Sequence, residues 1–403
     1  MTRLTIVTAL TASSSALAVR DLCAATGAAS LSYRRTGQGL DRIGRGGIGP
    51  GGGAVESLTT GTGGIAEVVR ADLAELFDDP WTGCEAGGVP VVVALPTGMD
   101  ADLVLDLVAE RAGRTGGAGG ADAADRVDGD GHASGVEVES VVAAVELDGL
   151  EDRLWSPVTM ADAGLATVPG DERTVGEFVV GALNWCDTYV VRAGARPVRR
   201  GLSLLEHLAP RARATSSDAA AGLPKPEPGR YDRREVRSRT RPGAVVVPVR
   251  DDSGGVYRTV VCRAERPLHP TRLAERIGAI AAGCVWSRGV LWVASVPQWR
   301  VAWAGVGPEV GFEPAGTWLA DGGDGGGDGG DSGEAPLESL LALGSPHGDR
   351  GTVLALTGDE VDAAEVAELL ADCELDDDEL ALGADGWAAL PDPFALRTTL
   401  AAV

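Results

Sequence analysis

The chain has 403 residues, enough for two domains that each bury a hydrophobic core. Its formal net charge of −24 argues against a surface for DNA or RNA, whose phosphates an acidic protein repels, so no nucleic acid partner is expected. No apolar run reaches the roughly 18 residues that a membrane-spanning helix needs, so no membrane span is expected either.

Leu4 to Leu10 reads as a buried first strand, followed by a Ser/Thr turn and a helix from about Ser14 to Ala25. A second reading of the same stretch is a secretory signal, with Arg3 ahead of an apolar run and Ala16-Leu17-Ala18 as a small-residue cleavage site. The helical pattern continuing past that point and the unpaired thiols favour the strand and helix, and with them a cytoplasmic chain. The Gly-rich run Gly37 to Gly53 is expected as a surface loop. Gly64 to Asp78 has apolar residues at helical spacing, and Val89 to Leu95 is a short continuous apolar run of the kind buried on both faces of a sheet. A helix over Asp102 to Ala112, a low-complexity loop over Thr115 to Gly135 and a strand over Val136 to Glu146 follow. A helical insertion is expected around Trp155 to Leu165, then a helix over Asp171 to Leu183, a strand at Thr188 to Val191 and a helix over Leu202 to Leu208. This α/β alternation over residues 1–213 implies a mainly parallel sheet of about five strands with helices on both faces.

Residues 214–243 are rich in Pro, Arg, Ser and Asp without core periodicity and are expected to be a linker to a second domain, 244–403. Within it, Val256 to Ala320 reads as strand, turn, amphipathic helix and two further strands, and Gly348 to Phe394 adds another strand and helix. Trp286, Trp292, Trp299, Trp303 and Trp318 are expected on one side of a sheet packed on helices, with an exposed partner-binding face as the alternative. The acidic, Gly-rich tract 321–336 lacks the spacing of a calcium loop and is expected to be disordered.

The six cysteines are scattered with no CxxC pair, a pattern of reduced, buried thiols. His269 in RPLHP and His347 in PHGDR are candidate metal ligands, since two His with a carboxylate such as Asp349 suit zinc. The alternative for a His between prolines is a turn residue bonded to backbone. No Ser-His-Asp order, HExxH or correctly placed GxGxxG is present, so no catalytic residue is assigned.

Four segments in order, ERPLHPTRL from Glu265, GVLWVAS from Gly289, EPAGTWL from Glu313 and DDDELALGADGWAALPDPF from Asp376, resemble the C-terminal domain of the CobW family. GLATVPGDERTVGEFVVGALNWCDTYVV from Gly164 and LLEHLAPRARA from Leu204 follow the family's order in the first half. The resemblance implies a P-loop-GTPase-like first domain, a smaller α+β CobW C-terminal domain, and a part in zinc or cobalt delivery, nearest the actinobacterial zinc-response branch. It also implies where the family's chemistry would fall. Ala9, Ala12 and Ser14 stand at the phosphate-loop glycines, Ser15 at the lysine and Ala16 at the Mg²⁺-binding hydroxyl. Gly64, Ala66 and Glu67 stand at the three thiolates of the metal motif, Leu95 at the acidic residue linked to it, and Arg192 to Ala195 at the guanine-reading motif.

A phosphate loop needs glycines for backbone approach, a lysine for the β- and γ-phosphates and a hydroxyl for Mg²⁺. Without them GTP and Mg²⁺ are not expected as cofactors, and Ser13, Ser14 and Ser15 are what remains at the cofactor position, as an N–H-lined helix start or simply a capped one. The expectation is a CobW-like protein of metal homeostasis, zinc being its implied metal, that lacks competent GTP hydrolysis and acts by binding metal, a protein partner or a metal-client protein. The alternatives are an active GTP-dependent zinc metallochaperone with divergent motifs and a non-catalytic interaction module.

Overall fold

The structure, a computed structural model, describes residues 2–37, 39–45, 55–60, 64–78, 90–115, 136–192, 198–216, 218, 221–248, 255–322 and 347–400. It divides into two compact units, the first comprising Met1–Gly201 and Arg211–Arg233 and the second Leu202–Pro210 and Arg234–Val403.

The first unit is built on strands β1 (Thr2–Ala9), β2 (Ala29–Thr36), β3 (Gly39–Arg45), β4 (Val55–Thr59), β5 (Val91–Ala94), β6 (Val136–Glu146), β7 (Thr188–Arg192) and β8 (Arg213–Ser216). They lie in the order β4-β3-β2-β5-β1-β6-β7-β8. From β2 to β8 every neighbouring pair is parallel, whereas β2, β3 and β4 pair antiparallel. The central strands are apolar on both sides because both faces are covered. Val142 and Ala144 of β6 pack with Val7, Ala9 and α1 (Ala12–Thr26), while the intervening Ala143 and Val145 face Phe178, Val179 and Ala182 of α5 (Val175–Trp185). A reciprocal capping box starts α5: Glu177 N donates to Thr174 Oγ1 at 3.1 Å and Thr174 N to Glu177 Oε2 at 2.6 Å.

The sheet is wider than the sequence pattern predicts. Residues 39–45, expected in a loop, form β3, held by its antiparallel register with β2. Tyr33 donates to Asp72 Oδ2 at 2.6 Å and Arg42 pairs with both Asp72 and Glu56, which ties this extension to α2 (Gly64–Asp78). Helix α3 (Asp102–Thr115) packs on α2. The expected helical insertion around Trp155 to Leu165 is instead a short helix, α4 (Leu150–Leu154), followed by turns.

Residues 214–243 are not a free linker. Arg213–Ser216 complete the first sheet as β8, Tyr231 N donates to Glu139 O at 2.9 Å, and Arg233–Thr240 form α7. Helix α6 (Val198–Leu208) precedes β8, and its residues from Leu202 on belong to the second unit.

The second unit holds a five-stranded antiparallel sheet in the order β12-β11-β10-β13-β9, from β9 (Arg258–Ala264), β10 (Cys284–Leu291), β11 (Trp299–Val306), β12 (Glu309–Thr317) and β13 (Thr352–Gly358). One face packs on α8 (Pro270–Ile280), α9 (Ala363–Cys373) and α12 (Leu396–Leu400), with α10 (Asp377–Leu380) and α11 (Gly383–Trp387) between the last two. Alternation along β13 sends Leu354 and Leu356 to that face and Val353 and Ala355 to the other, where Trp292, Trp318 and Val245 cover them. The tryptophans therefore do not share one side: Trp303 lies on the helix face and Trp292 and Trp318 on the opposite one. Residues 323–336 of the acidic tract lie outside the described residues, and Asp321 closes a single 3₁₀ turn with Leu319.

Trp303 is fully buried and its Nε1 donates to Ser287 Oγ at 2.8 Å. Replacing it with Ala should lower the unfolding free energy of the second unit by about 3–5 kcal/mol, measured by urea unfolding followed by circular dichroism.

Candidate functional site

β1 runs directly into α1. Thr11 is the N-cap, in extended conformation, and its Oγ1 accepts from Ser14 N at 3.2 Å; Ser15 N closes the first turn on Thr11 O at 3.1 Å. The expected capped helix start is thus present, but its hydroxyls also serve a second purpose. The parallel register pairs Ala9 with Ala144, so two residues further on Thr11 and Glu146 are level. Glu146 Oε1 accepts from the hydroxyls of Thr11, Ser13 and Ser14 at 2.8, 3.1 and 2.9 Å. Arg153 Nη2 reaches Glu146 Oε2 at 3.2 Å. Arg192, paired with Glu146 across β6 and β7, places Nη1 3.2 Å from Ser13 Oγ and 3.5 Å from Glu146 Oε1.

Burial pushes the Glu146 carboxyl up, but the hydroxyls of Thr11, Ser14 and Ser13 and the Arg153 guanidinium outweigh it and hold the group below its usual range. Beside this cluster, between the sheet and α5, lies a small cleft of about 30 Å³ lined by Thr8, Ala143, Val145, Phe178 and Leu183 and closed at its polar end by Thr11, Ser14, Glu146 and Arg153. Of the three serines that stand at the phosphate-loop position, Ser13 and Ser14 turn to the carboxylate and Ser15 contributes backbone to the helix.

The positions that correspond to the family's metal motif are closed over by the chain after α4. Ala66 N donates to Thr167 O at 3.0 Å, and a Cβ on Gly64, whose φ is +84°, would lie 2.8 Å from Thr167 O. Leu95 is buried and its N–H donates to Val7 O at 2.9 Å. Arg35 binds this loop to the turn after β5: Nε donates to Thr97 O at 2.9 Å and Nη2 to Leu165 O and Ala166 O at 2.5 and 3.0 Å. Gly98, with φ +81°, leaves room for Leu165 O only because it has no Cβ. Next to it, burial pushes the Asp100 carboxyl up to about 6, against the opposing pull of Arg173, whose Nη1 is 2.7 Å away.

In the second unit His269 and His347 engage different partners. His269 is the N-cap of α8; its Nδ1 accepts from Thr271 N and Arg272 N at 3.2 and 3.5 Å, and burial and the Arg272 charge hold the ring below its ordinary pKa. That placement matches the turn reading of a His between prolines. His347 leans on Trp292 with ring centroids 5.1 Å apart, and Trp292 also meets Trp318 and Trp387 edge-on. Asp349 accepts from Leu319 N and Ala320 N at 3.0 Å each, capping the 3₁₀ turn. The thiols of Cys284 and Cys373 are buried, which pushes them up to about 12 and about 11. Among the described residues no group of three or more His, Cys, Asp or Glu side chains is placed to hold a metal ion, so the described donors do not fit a zinc site.

Sequence reasoning found the helix start but not Glu146, Arg153 and Arg192. The signal available was an acid at the end of an apolar strand followed within seven residues by an arginine, which acquires meaning only when β6 is known to lie beside β1.

The first unit is therefore an α/β domain on a mainly parallel sheet and the second a smaller α+β domain on an antiparallel sheet. Residues 257–374 match the cobalamin synthesis protein cobW C-terminal domain. A Mycobacterium tuberculosis protein named as a zinc chaperone is 30% identical over 274 residues, 66% of this chain and 65% of the relative. A Dictyostelium discoideum protein named zinc-regulated GTPase metalloprotein activator 1 is 24% identical over 281 residues, 66% of this chain and 58% of its own length. The chain thus spans about 65% of the length of the mycobacterial relative. The crystal structure of the Zn(II)-bound YjiA GTPase from E. coli is matched over 93% of this chain and 99% of its own at 11% identity, with a TM-score of 0.32. The match over residues 257–374 likens the second unit to the CobW family. Among the described residues no helix is long and apolar enough to cross a membrane.

Two substitutions test the geometry. Gly98→Ala should destabilise the first unit by about 1–3 kcal/mol in thermal or urea unfolding, because it combines a left-handed φ with a clash on Leu165 O. Glu379 receives both Arg272 Nη atoms, at 2.9 and 2.6 Å, and this pair, more than any other contact, lowers its carboxyl to about 2 despite partial desolvation. A carboxyl depressed in the folded state stabilises it above its unfolded pKa, and that contribution fades as pH falls through the folded value. Glu379→Gln should therefore cost about 1 kcal/mol at pH 7, a solvent-screened figure, with the gap to the parent closing as pH falls from about 4.5 toward 2.

Proposed function

We propose that the chain is a cytoplasmic CobW-family protein of zinc homeostasis that acts by binding a protein partner or a metal-client protein, without turning over GTP. The observation that carries this reading is the start of α1. Where a phosphate loop would offer glycine N–H groups, a lysine and a Mg²⁺-binding hydroxyl, this chain has Ala9, Ala12, Ser14, Ser15 and Ala16, and the hydroxyls of Thr11, Ser13 and Ser14 are directed to Glu146. Phosphoryl transfer depends on positioning and charge stabilisation by those missing groups. The zinc assignment rests on the names of the mycobacterial and Dictyostelium relatives. Since the described donors do not fit a zinc site, zinc is treated as cargo and no step is routed through it.

A GTP-dependent zinc metallochaperone with divergent motifs is the second reading, favoured by the GTPase named in the Dictyostelium relative. Phosphate release by the purified full chain with GTP and Mg²⁺ separates the two. The expected result is release at the buffer rate and no heat of GTP binding; micromolar binding with turnover would establish the second reading. Competition for zinc with a chromogenic chelator tests the histidines. His269→Asn keeps a good N-cap, whereas His269→Ala should cost about 1 kcal/mol of stability, with zinc uptake the same in both; loss of uptake in both would make His269 a ligand.

A further inference from the structure

The cluster around Glu146 has the composition of an oxyanion site. Three hydroxyls and two guanidiniums, supplied by the start of α1, by α4 and by β7, meet at one carboxylate. The carboxylate also lies at the positive end of α1, where negative charge is stabilised. In open parallel sheets this rim, where strands end and helices begin, is where anionic ligands enter. An independent observation points the same way. Thr8, 1% exposed, lines the adjoining cleft, and its Oγ1 has no hydrogen-bond partner among the described residues. An unpaired buried hydroxyl is destabilising, so this wall leaves one hydrogen bond for a polar group to supply.

We propose that Glu146 is a resident anion: its carboxylate occupies an oxyanion site formed by Thr11, Ser13, Ser14, Arg153 and Arg192, and a free phosphate-type oxyanion is admitted only when Glu146 is withdrawn. The chain thereby supplies from β6 the negative charge that a bound phosphate would bring to a helix start, and the first unit is ordered without a ligand. Arg153 and Arg192 remain neutralised, and the three hydroxyls have an acceptor, in the absence of any nucleotide. The proposal deepens the reading that this domain does not turn over GTP and rests on it.

The test is calorimetric titration of inorganic pyrophosphate into the full chain, into Glu146→Ala and into Glu146→Ala combined with Arg153→Ala, with melting temperatures recorded for each. The parent should give no measurable binding. Glu146→Ala should bind pyrophosphate at least tenfold more tightly than the parent and melt higher in its presence, and the added Arg153→Ala should remove most of that gain. Equal pyrophosphate binding by the parent and Glu146→Ala would overturn the proposal, as would a folded Glu146→Ala that binds none. If Glu146→Ala does not fold, Glu146→Asn, which withdraws the side chain by one methylene, removes the charge and keeps an acceptor for the hydroxyls, is judged by the same two outcomes. GTP turnover by the parent would overturn the proposed function instead, which keeps the two failures distinguishable.

Discussion

The parallel pairing of β1 with β6 is the constraint on which the candidate site of the first unit depends. Because Ala9 lies opposite Ala144, the chain delivers Thr11 and Glu146 to the same level of the sheet, one at the start of a helix and the other at the end of a strand. A buried or half-buried carboxylate needs donors, and a helix start needs acceptors or negative charge. Each satisfies the other here. The hydroxyls that a helix start commonly uses for its own capping are shared with a charge from a distant part of the chain, and two arginines complete the balance.

The same economy of closure is seen where the family's metal and switch residues would stand. Thr167 O receives Ala66 N, and Arg35 gathers four backbone carbonyls from two loops. A guanidinium presents several donors in a rigid fork, so one side chain can hold loops that have no regular pairing of their own. Gly98 permits the close approach. In the second unit the corresponding device is a sheet buried on both faces, with the fully buried Trp303 on one and the Trp292, Trp318 and Trp387 group on the other.

Much of this fold was legible in the residues. The apolar run at Val91 to Ala94, the helical spacing over Gly64 to Asp78 and the RPLHP turn ahead of α8 each depend on local periodicity or on turn chemistry, which sequence carries directly. The strand β3 was not legible, because Gly39 to Arg45 has the composition of a loop and is held as a strand by pairing with β2. Residues 214–243 read as linker for a similar reason: β8 is four residues long and exists only as the edge of a sheet. The tryptophans were assigned to one face because alternation within a strand does not say which neighbours cover each side.

By itself the sequence determined the two-part α/β and α+β architecture and the resemblance to the CobW family, since these follow from pattern and residue identity. Only the tertiary structure decided what meets the start of α1. Glu146 is 132 residues from Ser14, and nothing local relates them; strand order and register bring the carboxylate to the helix start, and the register is set by long-range backbone pairing rather than by either segment alone.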